Sequence, residues 1–189
     1  MSMPNQVSKK EKVTRKNIFV DIDETLMHAE LDLGSYDPET PAVQVHTQEP
    51  NETYLSALRP GAIMLLFNLR TVGHVYALTR ATHDYALAMN KAQGFGFPEE
   101  RIYSRKHVKD WRYSKIDLDI PQGQNYLIDD LNFEDNYEKI ALLRKLGPVQ
   151  YIKVKPFWGH IEDGFTHEGI AKIVDQTVNT GSKGSEDTK

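Results

Sequence analysis

The 189-residue chain contains no cysteine. A disulfide framework, a thiol nucleophile and a thiolate metal site are therefore excluded, and a reducing compartment suits such a chain. No apolar run approaches the ~20 residues that a membrane-spanning helix needs, and no apolar signal core opens the chain. A cytoplasmic protein that engages no membrane is the expectation. A Gly-Lys-Ser/Thr phosphate loop is also missing, which argues against a P-loop nucleotide hydrolase. Seven histidines are present but fall at no metal-ligand spacing, so His160 and His167 read as surface or packing residues. The net charge of −4 argues against a surface that coats nucleic acid generally and leaves room for a local basic patch.

What is present describes one globular domain. A hydrophobic share of 39% with 26% charged residues is ordinary for a soluble fold, and 189 residues are few for two cores. Residues 1–16, carrying Lys9, Lys10, Lys12, Arg15 and Lys16, read as a disordered basic tail; an arm that attracts phosphate or nucleic acid is the sharper alternative. Residues 179–189 are Gly, Ser and charge and read as a second disordered tail. Residues 17–178 form the expected single domain.

Within it, strand and helix patterns alternate. Strands are expected at Asn17 to Asp21, His74 to Thr79, Arg101 to Tyr103, Asn125 to Asp129 and Val149 to Val154. Helices are expected from Gly61 to Thr71 behind Pro60, from the Thr82 cap to Gln93 before Gly94, from Phe133 to Leu146, and from the Thr166 cap to Val178. This order predicts an α/β fold, a three-layer, doubly wound, Rossmann-like parallel sheet. Ligands of such sheets bind beyond the carboxyl ends of the strands.

The first strand runs into Asp21-Ile22-Asp23-Glu24-Thr25-Leu26. Residues i and i+2 of extended backbone face the same side, so Asp21 and Asp23 converge while Ile22 turns toward packing. Two such carboxylates repel each other unless a cation intervenes, and a hard ion such as Mg²⁺ is the natural partner. The second strand ends in Thr79-Arg80 and the fourth in Asp129-Asp130. Helix capping could explain each alone, but together they place carboxylates, a hydroxyl and a cation on one rim.

These motifs resemble the haloacid-dehalogenase-like (HAD) phosphohydrolases, with Asp21 to Leu26 as the first motif, Leu78-Thr79-Arg80 ending the second, and Leu127 to Asp130 as the fourth. More narrowly, the chain is similar to the RNA polymerase C-terminal-domain phosphatase-like, or NLI-interacting-factor-like, branch. His28 after the first motif, a small β-rich insertion at about residues 30–56 in place of a full cap domain, and Arg59-Pro60-Gly61 carry that likeness. A hairpin of Val43 to His46 with Thr53 to Leu55 is expected in the insertion.

The resemblance implies an Mg²⁺-dependent phosphomonoester hydrolase. Asp21 would be the nucleophile that forms an aspartyl-phosphate, and Asp23 the general acid and base. Mg²⁺ would be held by Asp21, the Asp23 carbonyl and the fourth-motif pair, with Asp130 the direct ligand and Asp129 a supporting or lysine-paired group. Thr79 and a third-motif lysine would hold the phosphoryl oxygens, with Thr25 and Arg80 also at the substrate. Lys106, Lys109 and Lys115 are the lysine candidates. Lys115, in Tyr113-Ser114-Lys115, is favoured and Lys109 is the runner-up.

The run from Arg101 to Lys115 mixes six cations with Tyr103, Trp111 and Tyr113. It reads as a loop that steers phosphate, or as a contact for nucleotide or single-stranded nucleic acid. The substrate is thus a phosphoprotein, a nucleotide or a nucleic-acid end. Two further readings stay open: a nucleotidase or nucleic-acid end phosphatase on the same scaffold, and a phospho-ligand or partner-binding module without turnover.

Overall fold

The computed structural model describes residues 15–31, 40–107 and 120–178. Both expected tails, apart from Arg15 and Lys16, and the lysine candidates Lys109 and Lys115 lie outside the described residues, as do Trp111 and Tyr113.

Five strands, β1 (Lys16–Val20), β5 (His74–Leu78), β6 (Ile102–Tyr103), β7 (Gln124–Asp129) and β8 (Val149–Lys153), form one parallel sheet in the order β6-β5-β1-β7-β8. Alternation along β1 shows why both faces are covered. Ile18 and Val20 join one apolar cluster with Val75, Ala77 and Ile128, whereas Phe19 joins the other with Tyr76, Leu78 and Leu127. Helices α1 (Ala62–Val72), α2 (His83–Gln93) and α4 (His167–Val178) cover the first face, and α3 (Tyr137–Arg144) covers the second. Among the described residues no helix is long and apolar enough to cross a membrane.

Chain direction along the sheet reverses at β1, whose neighbours β5 and β7 come from opposite halves of the sequence. Their carboxyl ends therefore open a crevice at residue 21. The insertion is a separate antiparallel sheet in the order β2-β4-β3, formed by β2 (Met27–Glu30), β3 (Ala42–Thr47) and β4 (Glu52–Leu58). The expected hairpin is β3 with β4, paired from Thr47↔Glu52, and β2 adds a third strand directly after the first motif.

Helix α3 is the main departure. The apolar pattern predicts a helix from Phe133 to Leu146, yet the helix spans only Tyr137–Arg144. The residues before it, 133–136, are turns in which Asn136 N is shared between the carbonyls of Asn132 and Phe133. Tyr151 Oη further fixes the Leu131 carbonyl, and Lys153 holds Asn132. Tertiary hydrogen bonds to β8 thus outweigh local helix propensity.

Arg59 ties the site loop to the rest of the domain. Its guanidinium is only 3% exposed and lies 3.9 Å from the Phe165 ring centroid. Nε donates to the Asp163 carbonyl (2.9 Å) and Nη1 to those of Lys155 (2.8 Å) and Thr25 (3.1 Å). Gly61, the α1 cap at φ 82°, follows, and a Cβ there would meet the Phe165 carbonyl oxygen at 2.6 Å. Arg59→Met would strand three carbonyls, so a loss of about 3 kcal/mol or more is expected from the urea unfolding midpoint.

Candidate active site

Asp21 follows β1 directly, and its backbone N–H still bonds the Ile128 carbonyl at 3.0 Å, which continues the sheet pairing into the site. The chain then turns sharply, with Leu26 N donating to the Ile22 carbonyl and Glu24 at φ 53°. That left-handed conformation is uncommon for a residue with a Cβ, and it lets the loop fold back over Asp21.

One side of Asp21 is a charged cluster. Lys139, from α3, puts its Nζ 2.9 Å from Asp21 Oδ1 and 2.7 Å from Asp129 Oδ2, and it is 1% exposed. Asp129 Oδ1 accepts from Leu131 N, and Asp130 Oδ1 accepts from Thr25 Oγ1 at 2.9 Å. One oxygen from each of Asp21, Asp129 and Asp130 lies within 4.8 Å of the others, the only such group of acids or imidazoles among the described residues. Burial pushes the Asp21 carboxyl well above the usual carboxylate range; Lys139 pulls it back, while Asp129 and Asp23 add to the rise. Asp130 is raised as well, by burial, against the Thr25 hydrogen bond. Burial lowers the Lys139 ammonium, but Asp21 and Asp129 more than offset it, so its net shift is upward. Three carboxylates against one ammonium leave two negative charges short of balance. A divalent, oxygen-preferring cation fits that donor set.

The other side belongs to Asp23. Tyr85, from α2, donates to Asp23 Oδ1 at 2.5 Å, and Thr79 Oγ1 lies 3.5 Å from Oδ2. Burial pushes this carboxyl up to about 6, with the Tyr85 hydrogen bond opposing. Asp23 thus turns its side chain toward β5 and α2 and is not one of the three clustered carboxylates.

The expected residues therefore meet, with distinct surroundings. Asp21, Asp23, Thr79, Asp129 and Asp130 converge at the β1 crevice. Thr25 bonds Asp130. Arg80 turns away: its Nη2 donates to the Asp135 carbonyl, beside a cavity of about 620 Å³ that Glu134, Tyr137 and Lys145 also line. His28 is buried between Glu24 (3.1 Å) and Glu30 (2.8 Å) and so ties the first-motif loop to the insertion. Of the basic run, Tyr103 packs in the core and Arg101 sits over Tyr76, while Arg105 and Lys106 are exposed. Phe157 is fully buried, whereas Trp158 is 55% exposed.

Two residues escaped the sequence reading. Lys139 falls on the buried stripe of α3 with Ile140, Leu142 and Leu143. A lysine at an apolar-periodic position needs a buried anion, and that was the available signal. Tyr85 shares a buried face with Ala86 and Met89, where an aromatic looks like core.

The fold is the layered α/β arrangement with a parallel sheet that the sequence anticipates. It matches the structure of the fission yeast RNA polymerase II CTD phosphatase Fcp1 (R271A, bound to beryllium fluoride), with TM-score 0.51, 19% identity, and coverage of 87% of this chain and 50% of that one. A further structure of Fcp1, described as an essential RNA polymerase II CTD phosphatase, gives TM-score 0.52 at 19% identity, covering 87% and 49%. The chain thus spans about half the length of those proteins. No family model matches the sequence, and no curated protein matches it.

Two outcomes test this site without any substrate. At a hundredfold excess over Kd, Mg²⁺ should raise the thermal midpoint of the wild type by about 5 °C or more and leave Asp130→Ala nearly unmoved. In EDTA, the raised Asp23 carboxyl binds its proton more tightly folded than unfolded. Its contribution is therefore complete below about pH 4 and is lost as the pH rises to about 6. Asp23→Asn should flatten the stability profile in that window, as read by urea midpoints.

Proposed function

We propose that this protein is a metal-dependent phosphomonoester hydrolase that acts through an aspartyl-phosphate on Asp21. The observation that carries the reading is the division of labour around residue 21. A carboxylate trio with Lys139 lies on one side, and a separately held, raised carboxyl lies on the other.

In this reading an Asp21 carboxylate oxygen attacks phosphorus while the bond to the leaving oxygen breaks. Asp23 gives its proton to that oxygen, a role suited to an acid near 6. Water then attacks the acyl phosphate, Asp23 takes its proton, and cleavage of the bond to Asp21 frees inorganic phosphate. Mg²⁺, held by Asp21, Asp130 and the Asp23 carbonyl with Asp129 in support, would supply positive charge to the phosphoryl oxygens. Thr79 would hold a phosphoryl oxygen; its hydroxyl, which accepts from the Ala81 N–H and lies 3.5 Å from Asp23 Oδ2, supports that part.

Lys139 takes the screening part in this proposal, because it already pairs with the nucleophile. Lys115 and Lys109 stand as the alternatives from motif spacing, with Lys109 also a peripheral substrate contact; Thr25, fully buried, acts through Asp130, and Arg80 is directed to the Asp135 carbonyl instead of the substrate. The neighbours' described action on the CTD of RNA polymerase II makes a phosphoprotein the first substrate class to try. A nucleotide or nucleic-acid end would rely on the exposed Arg105 and Lys106.

Hydrolysis of p-nitrophenyl phosphate tests the chemistry. Turnover is expected with Mg²⁺, is lost in EDTA, and falls about a thousandfold or more in Asp21→Asn with folding intact. Lys139→Ala should fall about a hundredfold or more, and a larger loss in Lys115→Ala would return the role to that residue.

A further inference from the structure

The acid side of the site opens into a cavity of about 340 Å³ lined by Asp23, Pro50, Tyr54, Ala81, Thr82, Tyr85 and Arg105. In an in-line displacement the leaving group departs opposite the Asp21 oxygen, within hydrogen-bond reach of the group that protonates it. If Asp23 is that acid, the leaving group occupies this cavity. The inference thus rests on the proposed hydrolase reading and adds the identity of what departs.

Two of the lining residues are aromatic. Tyr54 and Tyr85 meet edge to face, with centroids 5.1 Å apart at 82°, so the cavity is lined by two differently turned aromatic surfaces. Tyr85 reaches Asp23 through its own hydroxyl, so the aromatic surface begins directly beside the acid. Exposed Arg105 lines the rim, its Nε donating to the Arg80 carbonyl at 3.1 Å, and so adds a planar cation beside the two rings. At about 340 Å³ the space is near the lower end for ligand cavities, enough for one ring next to the acid.

The wall is also fixed in place. Tyr54 and Pro50 come from the insertion, whose turn is pinned to the start of α2. Gln48 N and Glu49 N donate to Asp84 Oδ2 at 2.5 and 3.2 Å, and Thr82 Oγ1 donates to the Glu49 carbonyl. Tyr54 is held in turn by its hydrogen bond to Glu52. The small insertion thus supplies one side of a rigid slot over Asp23.

We infer that this slot is the leaving-group subsite and that it takes a phenol, so that aryl phosphate monoesters of the phosphotyrosine type are the preferred substrates. A nucleoside would set its sugar beside Asp23 and its base beyond the walls. An alkyl ester would leave the ring surfaces unused.

The test is kcat/KM for phenyl phosphate and phosphotyrosine against β-glycerophosphate and adenosine 5′-monophosphate, in wild type, Tyr54→Leu, Tyr54→Phe and Arg105→Gln. The wild type should favour the two aryl esters. Tyr54→Leu should cut the aryl-to-glycerol ratio about three- to tenfold, chiefly through KM for the aryl esters, and Tyr54→Phe should restore it. Arg105→Gln, at an exposed position where folding is not at stake, should lower the ratio in the same direction. Ratios unchanged in both Tyr54→Leu and Arg105→Gln, or a wild type that favours the glycerol or adenosine ester, would overturn the subsite while leaving the hydrolase reading intact. Absence of Asp21-dependent turnover on all four esters would instead overturn the hydrolase reading, and the subsite with it.

Discussion

The contact on which the site depends is the bridge of Lys139 between Asp21 and Asp129. A buried ammonium is costly unless it is paired, and a buried carboxylate likewise. The bridge pairs one ammonium with two carboxylates and fixes the relative position of three elements: the end of β1, the end of β7 and the helix that follows β7. It does so without neutralising the cluster. Asp130 is left over, held by Thr25, and a cluster of this composition suits a divalent ion.

Asp21 and Asp23 are neighbours in sequence, yet they live in different electrostatic surroundings. Asp21 faces lysine and two further carboxylates, whereas Asp23 faces two hydroxyls and a largely desolvated corner. Two carboxyls whose environments differ in this way can take different protonation states at one pH. The insertion contributes to the second environment. Its turn docks on α2, and α2 carries the tyrosine that holds Asp23.

Much of this was legible in the chain. Strand one, the α2 cap at Thr82, the α4 cap at Thr166 and the glycine stops follow from local rules of capping and periodicity, so they need no tertiary information. The first-motif, Thr79 and fourth-motif residues were legible for the same reason: each ends a strand, and parallel strands deliver their ends to one rim. Helix α3 was less so. Its apolar pattern continues on both sides, while hydrogen bonds from Tyr151, Lys153 and Arg80, all outside the segment, hold the preceding turns.

By itself the sequence determined the layered α/β architecture and the carboxylates at its crevice, because strand alternation and motif position are written in local order. Tertiary structure alone decided which cation meets Asp21 and what stands beside Asp23. Lys139 lies ten residues beyond Asp129 and 118 beyond Asp21, and Tyr85 lies 62 beyond Asp23. Such pairings are set by how α2 and α3 pack on opposite faces of the sheet, and no local spacing records a distance across a fold.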